Sequence, residues 1–143
     1  MKKYLKVILA IIFAFFIQIF IRIYQVQIPE EVAFVTIEFQ EYYGLSAPKI
    51  KETIVSTKES NYLVLKEIIE NNIYVKNIVQ NRSSHDSPLT AYVIYFTETG
   101  EKHGKILYTF EIYNDGSIRI NGNQVHCLLH TNKHIYRAIE ELY

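Results

Sequence analysis

Cysteine, tryptophan, proline and glycine are scarce in this chain of 143 residues, which has one Cys, no Trp, three Pro and five Gly. The lone Cys127 has no second thiol in the chain, so no intrachain disulfide is available. A small exported domain without disulfides is more typical of a bacterial surface than of an animal secreted module. The cysteine count therefore favours a bacterial chain.

Short motifs that carry well-defined chemistry are missing too. The sequence has no Gly-rich phosphate loop, no Gly-x-Ser-x-Gly and no His-Glu-x-x-His. Their absence excludes the recognisable forms of nucleotide-binding, hydrolase and zinc-protease sites. We therefore predict a non-catalytic chain that needs no cofactor.

A basic patch is also missing, although the balanced whole-chain charge hides this. The chain has 15 Lys and Arg against 15 Asp and Glu, but four of the basic residues and none of the acidic ones lie within residues 1–24. Residues 25–143 thus carry eleven basic against fifteen acidic side chains, a net charge of −4. A mildly acidic domain of this kind predicts no nucleic-acid partner.

The most informative feature present is an apolar run over residues 7–21, which is interrupted only by Gln18 and follows Lys2, Lys3 and Lys6. A cleaved signal peptide needs a small-residue cleavage site, and residues 22–29 contain no Ala, Gly or Ser. We therefore predict an uncleaved signal-anchor transmembrane helix over residues 1–24, with a cleaved signal as the alternative. Twenty helical residues, 5–24, cover about 30 Å, the thickness of a hydrocarbon core.

The flanking charges predict how this helix is oriented. Three lysines precede the apolar run and Arg22 alone follows it closely, and the more basic flank stays in the cytoplasm. We expect a single-pass protein of the cell membrane, with its bilayer contact over residues 5–24. The N-terminus is predicted to be cytoplasmic and the C-terminal part extracytoplasmic.

The remaining residues predict a polar linker over 25–31 and one α+β domain over 32–143. Residues 32–39, 51–56, 89–97 and 105–113 have strand-like patterns, and Asn114-Asp115-Gly116 is a strong hairpin signal. Ser56-Thr57-Lys58-Glu59 fits a capping box, and a second helix is expected to follow Thr131 or Asn132. The order predicts a small antiparallel sheet meander with two helices packed on one face.

Three of these elements also carry a resemblance to known proteins. They are the helix start at Ser56-Thr57-Lys58-Glu59, the turn at residues 114–118 and the Ile120-Asn121-Gly122 turn. With them, residues 52–143 resemble small extracytoplasmic domains of unknown function on Gram-positive bacterial lipoproteins and membrane-anchored proteins. This chain lacks the lipidated cysteine of the lipoproteins, and the resemblance implies no activity.

One group of side chains could bind a metal. His126, His130 and His134 are spaced by four, which would put all three imidazoles on one face of a helix. The turn at Asn121-Gly122-Asn123 instead predicts a strand, on which His126 and His130 share one face and Cys127 points to the other. The three histidines are the candidate metal ligands, and Cys127 is interpreted as a small buried apolar residue.

Three functions remain open from the sequence, one of which is that the apolar helix itself serves as a partner-binding span in a larger membrane complex. The preferred one is a membrane-anchored extracytoplasmic binding module with a protein or peptide partner, for example an immunity or inhibitor protein. The alternative is a metal-binding sensor or hydrolase that uses the three histidines. A Ser/His/Asp set around His85-Asp86 is disfavoured, because these residues lie in a polar loop without a scaffold for an oxyanion site.

Overall fold

Eight strands form one antiparallel sheet in a computed structural model that describes residues 2–20, 23–43, 46–76, 89–99, 104–128 and 131–143. The helices are α1 (Lys2–Phe20), α2 (Ser60–Glu70) and α3 (Asn132–Glu140). The strands are β1 (Ile23–Gln25), β2 (Phe34–Tyr42), β3 (Lys49–Ser56), β4 (Ile73–Lys76), β5 (Leu89–Thr97), β6 (Ile106–Tyr113), β7 (Ile118–Ile120) and β8 (Asn123–Cys127). The predicted α+β class with an antiparallel sheet is confirmed.

The strand order is β1-β4-β8-β7-β6-β5-β2-β3. Strands β5 to β8 form a meander in which each strand pairs with the next along the chain. The β2–β3 hairpin joins this meander through pairing of β2 with β5. Strands β4 and β1 complete the opposite edge, so that β1 and β3 are the two outer strands of the sheet as far as the structure describes it.

Both predicted turns of the meander are present. Gly116 has φ +89° in the turn between β6 and β7, a conformation in which a side chain would be strained. Asn121 and Gly122 have φ +47° and +76° between β7 and β8, which is the geometry of a two-residue hairpin turn. The local sequence therefore determines the order of strands over residues 106–127.

Helices α2 and α3 cover the same face of the sheet. The buried side chains of α2 are Tyr62, Leu65 and Ile69, and those of α3 are Ile135, Tyr136 and Ile139. All six belong to one core cluster with alternate residues of the strands, among them Ile94, Phe96, Phe110 and Ile112. We call this side of the sheet the helix-covered face.

The segment predicted as a linker, residues 25–31, contributes to this core. Gln25 belongs to β1, and the side chains of Val26 and Ile28 are 3% and 4% exposed. The backbone N–H of Ile28 also donates a hydrogen bond to Glu70 Oε1 at 2.7 Å. Val26 and Ile28 do alternate with Gln25 and Gln27 in the sequence, but the segment is short and contains Pro29, and the pattern alone therefore predicts a linker.

The start of α2 differs from the predicted capping box. Helix α2 begins at Ser60, and its N-cap residue Glu59 makes no side-chain capping hydrogen bond. The carboxylate of Glu59 does accept the Ser56 N–H at 3.0 Å, and the Ser56 hydroxyl accepts the Lys58 N–H at 3.3 Å. The predicted partners thus interact within a turn that precedes the helix.

Helix α1 is apolar and lies apart from the core. Its described large apolar side chains from residue 5 to residue 13 are all exposed, including Leu9 at 60% and Phe13 at 68%. No other described element packs extensively against it. Over the part of the chain that the structure describes, no helix meets the length and hydropathy needed to cross a membrane.

Candidate functional site

The second face of the sheet, which we call the open face, consists of the side chains of β2, β3, β5, β6 and β7 that point away from α2 and α3. Its composition follows from the register. Glu38 is paired with Val93, Val93 with Glu111, and Glu111 with Arg119. Successive residues of a strand point to opposite faces, so this polar row lies directly behind the buried row that contains Ile94 and Phe110.

Tyrosines surround a small apolar patch at the centre of the open face. Ala91, Val93 and Tyr113 form a second buried cluster, separate from the main core, with exposed fractions of 0%, 5% and 8%. Tyr42 and Tyr95 are half-buried and pack against this cluster. The open face therefore has an ordered centre although neither α2 nor α3 covers it.

Hydrogen bonds link the polar side chains along β2. The charge of Glu38 helps burial to raise the pKa of Tyr95 on the neighbouring strand, and Glu38 Oε2 accepts Gln40 Nε2–H at 2.6 Å. Gln40 is only 8% exposed, and its Oε1 accepts the hydroxyl of Tyr42. A buried amide with both of its ends bonded fixes the positions of its neighbours.

A second set of polar contacts joins β6 and β7. Tyr42 packs against the cluster that contains Tyr113, and the Tyr113 hydroxyl donates to Glu111 Oε2 at 2.9 Å. Arg119 Nη1 lies 3.8 Å from Glu111 Oε2 and 3.5 Å from the Tyr113 hydroxyl oxygen. The guanidinium also lies 5.5 Å from the centre of the Tyr113 ring, within cation–π range.

The phenols of this network stay protonated at neutral pH. Burial, followed by the charge of Glu38, raises the pKa of Tyr95 to about 12. Burial also raises the pKa of Tyr113 and of Tyr42, with Glu111 as the second cause in both. Proton transfer is most effective when the pKa of the group lies near the working pH, so these tyrosines are suited to donating hydrogen bonds rather than to acid–base catalysis.

Towards β3 the open face becomes more exposed and more apolar. Ile50 and Ile54 are 55% and 52% exposed, and Glu52 lies between them on the same side of the strand. The register places Glu52 directly beside Glu38 of β2. The outer strand thus presents one isoleucine on each side of Glu52, whose carboxylate neighbours that of Glu38 on β2.

The structure describes two of the three candidate metal ligands and places them along different grooves. His126 is exposed on β8 beside Asp115 and Lys133. His134 is exposed on α3, where it lines a groove with Val64 and Ile68 of α2. His130, like the disfavoured set around His85-Asp86, lies outside the described residues.

Among the residues that are described, no group of three His, Cys, Asp or Glu side chains could hold a metal ion. The metal site that needs His130 therefore stays a prediction. Cys127 is half-buried, packs against the core and donates through Sγ to Asn72 Oδ1 at 3.2 Å. These contacts give Cys127 a structural role within the part of the domain that the structure describes.

Sequence reasoning missed the open face as a site. The signal was present as Glu38, Gln40 and Glu111, polar residues that alternate with apolar ones within two strands. Their convergence depends on β2 pairing with β5, which is not adjacent in the sequence. No protein-family model, curated protein or solved structure matches this chain, so the resemblance to extracytoplasmic domains stays a prediction.

Proposed function

We propose that this protein is a membrane-attached, non-catalytic binding module whose open face takes up a protein or peptide partner outside the cytoplasm. The observation that carries the proposal is the surface of α1. Its described apolar side chains are exposed around the helix while the α+β domain has a complete core without them. Such a surface needs a partner.

The exposure of α1 argues for lipid as that partner. Large apolar patches are rare on soluble monomers and indicate membrane or protein contact, and a helix that is apolar all round is typically buried. Lys2, Lys3 and Lys6 precede the run and suit the headgroup region. The proposal rests on the exposed apolar side chains of α1, because no helix among the described residues is long and apolar enough to cross a membrane.

The basic N-terminal flank supports an orientation in which the domain is exported. Positive residues near a membrane segment favour the cytoplasmic side. Residues 25–143, with their net charge of −4, would then lie on the opposite side. Protease added to intact cells should remove the domain if this orientation is correct, and full protection would contradict it.

Recognition by the open face is supported by its preorganised hydrogen bonds. Glu38 accepts a hydrogen bond from Gln40, and Gln40 and Glu111 each accept one from a tyrosine hydroxyl, so little side-chain entropy remains to be lost on binding. The raised pKa values of Tyr95 and Tyr113 keep these two phenols protonated at neutral pH. Both features favour a binding surface over a catalytic centre.

Membrane attachment is tested by fractionation of the full chain and of two matched double variants. Leu9→Asp/Ile12→Asp places two charges on α1, and Leu63→Asp/Val64→Asp places two on exposed apolar positions of α2. The exposed fractions match, at 60% and 49% in α1 against 63% and 42% in α2. Each acidic residue in the bilayer costs about 3 kcal/mol, so only the α1 variant should leave the membrane fraction.

Two results would contradict the attachment. One is recovery of the unmodified full chain in the supernatant without detergent. The other is release of both double variants to the same extent, which would assign the loss to unfolding of the domain. Circular dichroism of the released α1 variant provides the control, because its α+β domain should keep the native spectrum.

A further inference from the structure

We propose that a cavity on the helix-covered face of the sheet, next to β3, binds a small aromatic monocarboxylate. The inference goes beyond the proposed binding role of the open face and does not depend on it. It follows from a buried phenol that has no hydrogen-bond partner, together with the side chains that line the cavity beside this phenol.

The cavity lies between β2, β3, β5 and the chain beyond α3. Its volume is about 230 Å³, and its lining consists of Ile37, Phe39, Lys51, Thr53, Tyr92 and Tyr143. The register explains the grouping, because it aligns Lys51, Phe39 and Tyr92 across the three strands. Ile37 and Tyr92 are buried, whereas Lys51 and Thr53 are exposed. The cavity therefore has a closed, largely apolar base and a polar mouth at β3.

The phenol without a partner is that of Tyr143. Its ring packs against the core, and among the described residues its hydroxyl is the one buried side-chain oxygen or nitrogen that makes no hydrogen bond. Buried polar groups nearly always have a partner, and one left without costs free energy. A hydrogen-bond acceptor bound in the cavity that Tyr143 lines would supply this partner.

The size and the lining of the cavity suit one aromatic ring. A cavity of about 150 Å³ with apolar walls accommodates benzene, so a volume of about 230 Å³ leaves room for a carboxylate as well. The rings of Phe39 and Tyr92 lie in tilted contact, with 5.1 Å between their centres, and tilted or offset rings attract one another. Water is a poorer occupant of the base, because a buried water needs about two to four polar partners and the side chains of Ile37 and Phe39 offer none.

The polar groups of the cavity select the head group of the ligand. Lys51 carries the one charge among the lining side chains, and its ammonium group donates hydrogen bonds but accepts none. Burial, followed by the charge of Glu59, raises the pKa of Tyr143 to about 12, so its phenol is protonated and also donates. A carboxylate accepts several hydrogen bonds, and those from an ammonium group are roughly twice as strong as neutral ones. The lining thus favours a carboxylate over a neutral amide and disfavours a second ammonium.

Two glutamates near the cavity make the role of Lys51 testable. Glu59 acts on Tyr143, and burial, Tyr136 and then Glu140 raise the pKa of Tyr92. Neither glutamate lines the cavity, so each repels a bound anion from further away than Lys51 attracts it. Lys51 is therefore the group on which the preference for an anion depends.

The test titrates the full-length protein in detergent with three ligands that share one ring, namely benzoate, benzamide and benzylamine. Ligand-observed NMR measures binding, and protein-free detergent is the blank for partition into micelles. We expect benzoate to bind at least about fivefold more tightly than benzamide, because its hydrogen bonds to Lys51 and Tyr143 are charge-assisted. Benzylamine should show no saturable binding.

Two variants remove the proposed donors one at a time. Lys51→Gln and Tyr143→Phe should each weaken benzoate binding by about tenfold or more, the loss expected for a hydrogen bond to a charged group. Lys49→Gln is the matched control, because it removes the same charge from the same strand outside the cavity. It should change the dissociation constant by less than about twofold, since a more distant exposed charge is screened by salt.

A second measurement examines the unpartnered phenol in the absence of ligand. Tyr143→Phe should leave the urea midpoint unchanged or raise it, because the variant removes a hydroxyl that has no partner. Tyr74→Phe is the matched control. It removes a buried hydroxyl that donates to the Ile69 carbonyl at 3.0 Å, and it should lower the midpoint.

Several results would overturn this site. They are the absence of saturable benzoate binding, equal binding of benzoate and benzamide, and benzoate binding that either donor variant leaves unchanged. A lower urea midpoint in Tyr143→Phe would also contradict it, because the hydroxyl would then have a partner in the unliganded protein. None of these results affects the proposed function, because the open face lies on the other side of the sheet and α1 lies apart from the core.

Discussion

The two faces of the sheet differ sharply, although they are formed by alternate residues of the same strands. Across β2, β5, β6 and β7, one row of paired residues is at most 4% exposed and apolar throughout, and consists of Ile37, Ile94, Phe110 and Ile120. The next row reads Glu38, Val93, Glu111 and Arg119. The difference arises because both α2 and α3 lie on one side.

This comparison separates the residues that stabilise the fold from those available for binding. The helix-covered face removes large apolar side chains from water, which is the main favourable term in folding. The open face keeps its carboxylates and phenols in hydrogen bonds whose net contribution is smaller. A partner can therefore use the open face without disturbing the core.

The largest expected effect comes from truncating one large side chain of the buried row. Phe110 is fully buried and meets the Tyr74 ring edge-on at 6.0 Å between ring centres. Phe110→Ala should lower the free energy of unfolding by about 3–5 kcal/mol, from lost burial and the cavity left behind. Thr109→Ala, at the adjacent open-face position, should change it by about 0.5 kcal/mol or less.

Urea denaturation followed by circular dichroism measures both changes. Equal losses in the two variants would remove the distinction between the faces, because the open face would then contribute to stability as the covered face does. The slope of the unfolding free energy with urea should stay constant in both variants if the unfolded state is unaffected.

A second prediction concerns alkaline pH and compares one tyrosine from each face. Burial raises the pKa of Tyr92, on the helix-covered face, and of Tyr95, on the open face, to about 12 each. Unfolded tyrosine titrates near pH 10, so between pH 10 and 12 the folded state holds more protons. The stabilising contribution is complete below pH 10 and is lost as the pH rises towards 12.

Tyr92→Phe and Tyr95→Phe should each make the loss of stability between pH 10 and 12 less steep, and by similar amounts. Urea midpoints measured at intervals across this range provide the slopes. A flatter slope for Tyr92→Phe alone would show that the open face does not hold Tyr95 in a protected environment. Unchanged slopes in both variants would reject the titration of these phenols as a source of alkaline instability.

The sequence predicted the local parts of this fold. Strand β5 was predicted with its observed bounds, and the turns at Gly116 and Asn121-Gly122 followed from residues that tolerate positive φ. Alternation also put Phe110 and Ile106 on one side of the same strand, and Phe110 lies buried in the main core. Ile106 is instead 54% exposed, because the pairing of β5 with β6 shifts register beyond Phe96 and Tyr108 and Leu107 packs against the core.

The non-local parts were not predictable in the same way. The pairing of β2 with β5 joins residues that are 47 to 63 positions apart in the chain, and it brings the polar side chains of the open face together. Strand β1 and the buried Val26 and Ile28 depend equally on pairing with β4 and on contact with α2. A single sequence carries the alternation within a strand but not the identity of its neighbour.

The smallest expected effect lies at the outer end of the polar row. Arg119 is 53% exposed and lies 3.8 Å from the Glu111 carboxylate, and exposed ion pairs contribute about 0–1 kcal/mol. A double-mutant cycle with Arg119→Ala and Glu111→Gln should give a coupling within that range, and 0.5 M salt should reduce it further. A coupling of about 3 kcal/mol would instead make this pair a structural element of the fold, and the open face would then be less free to exchange its contacts for those of a partner.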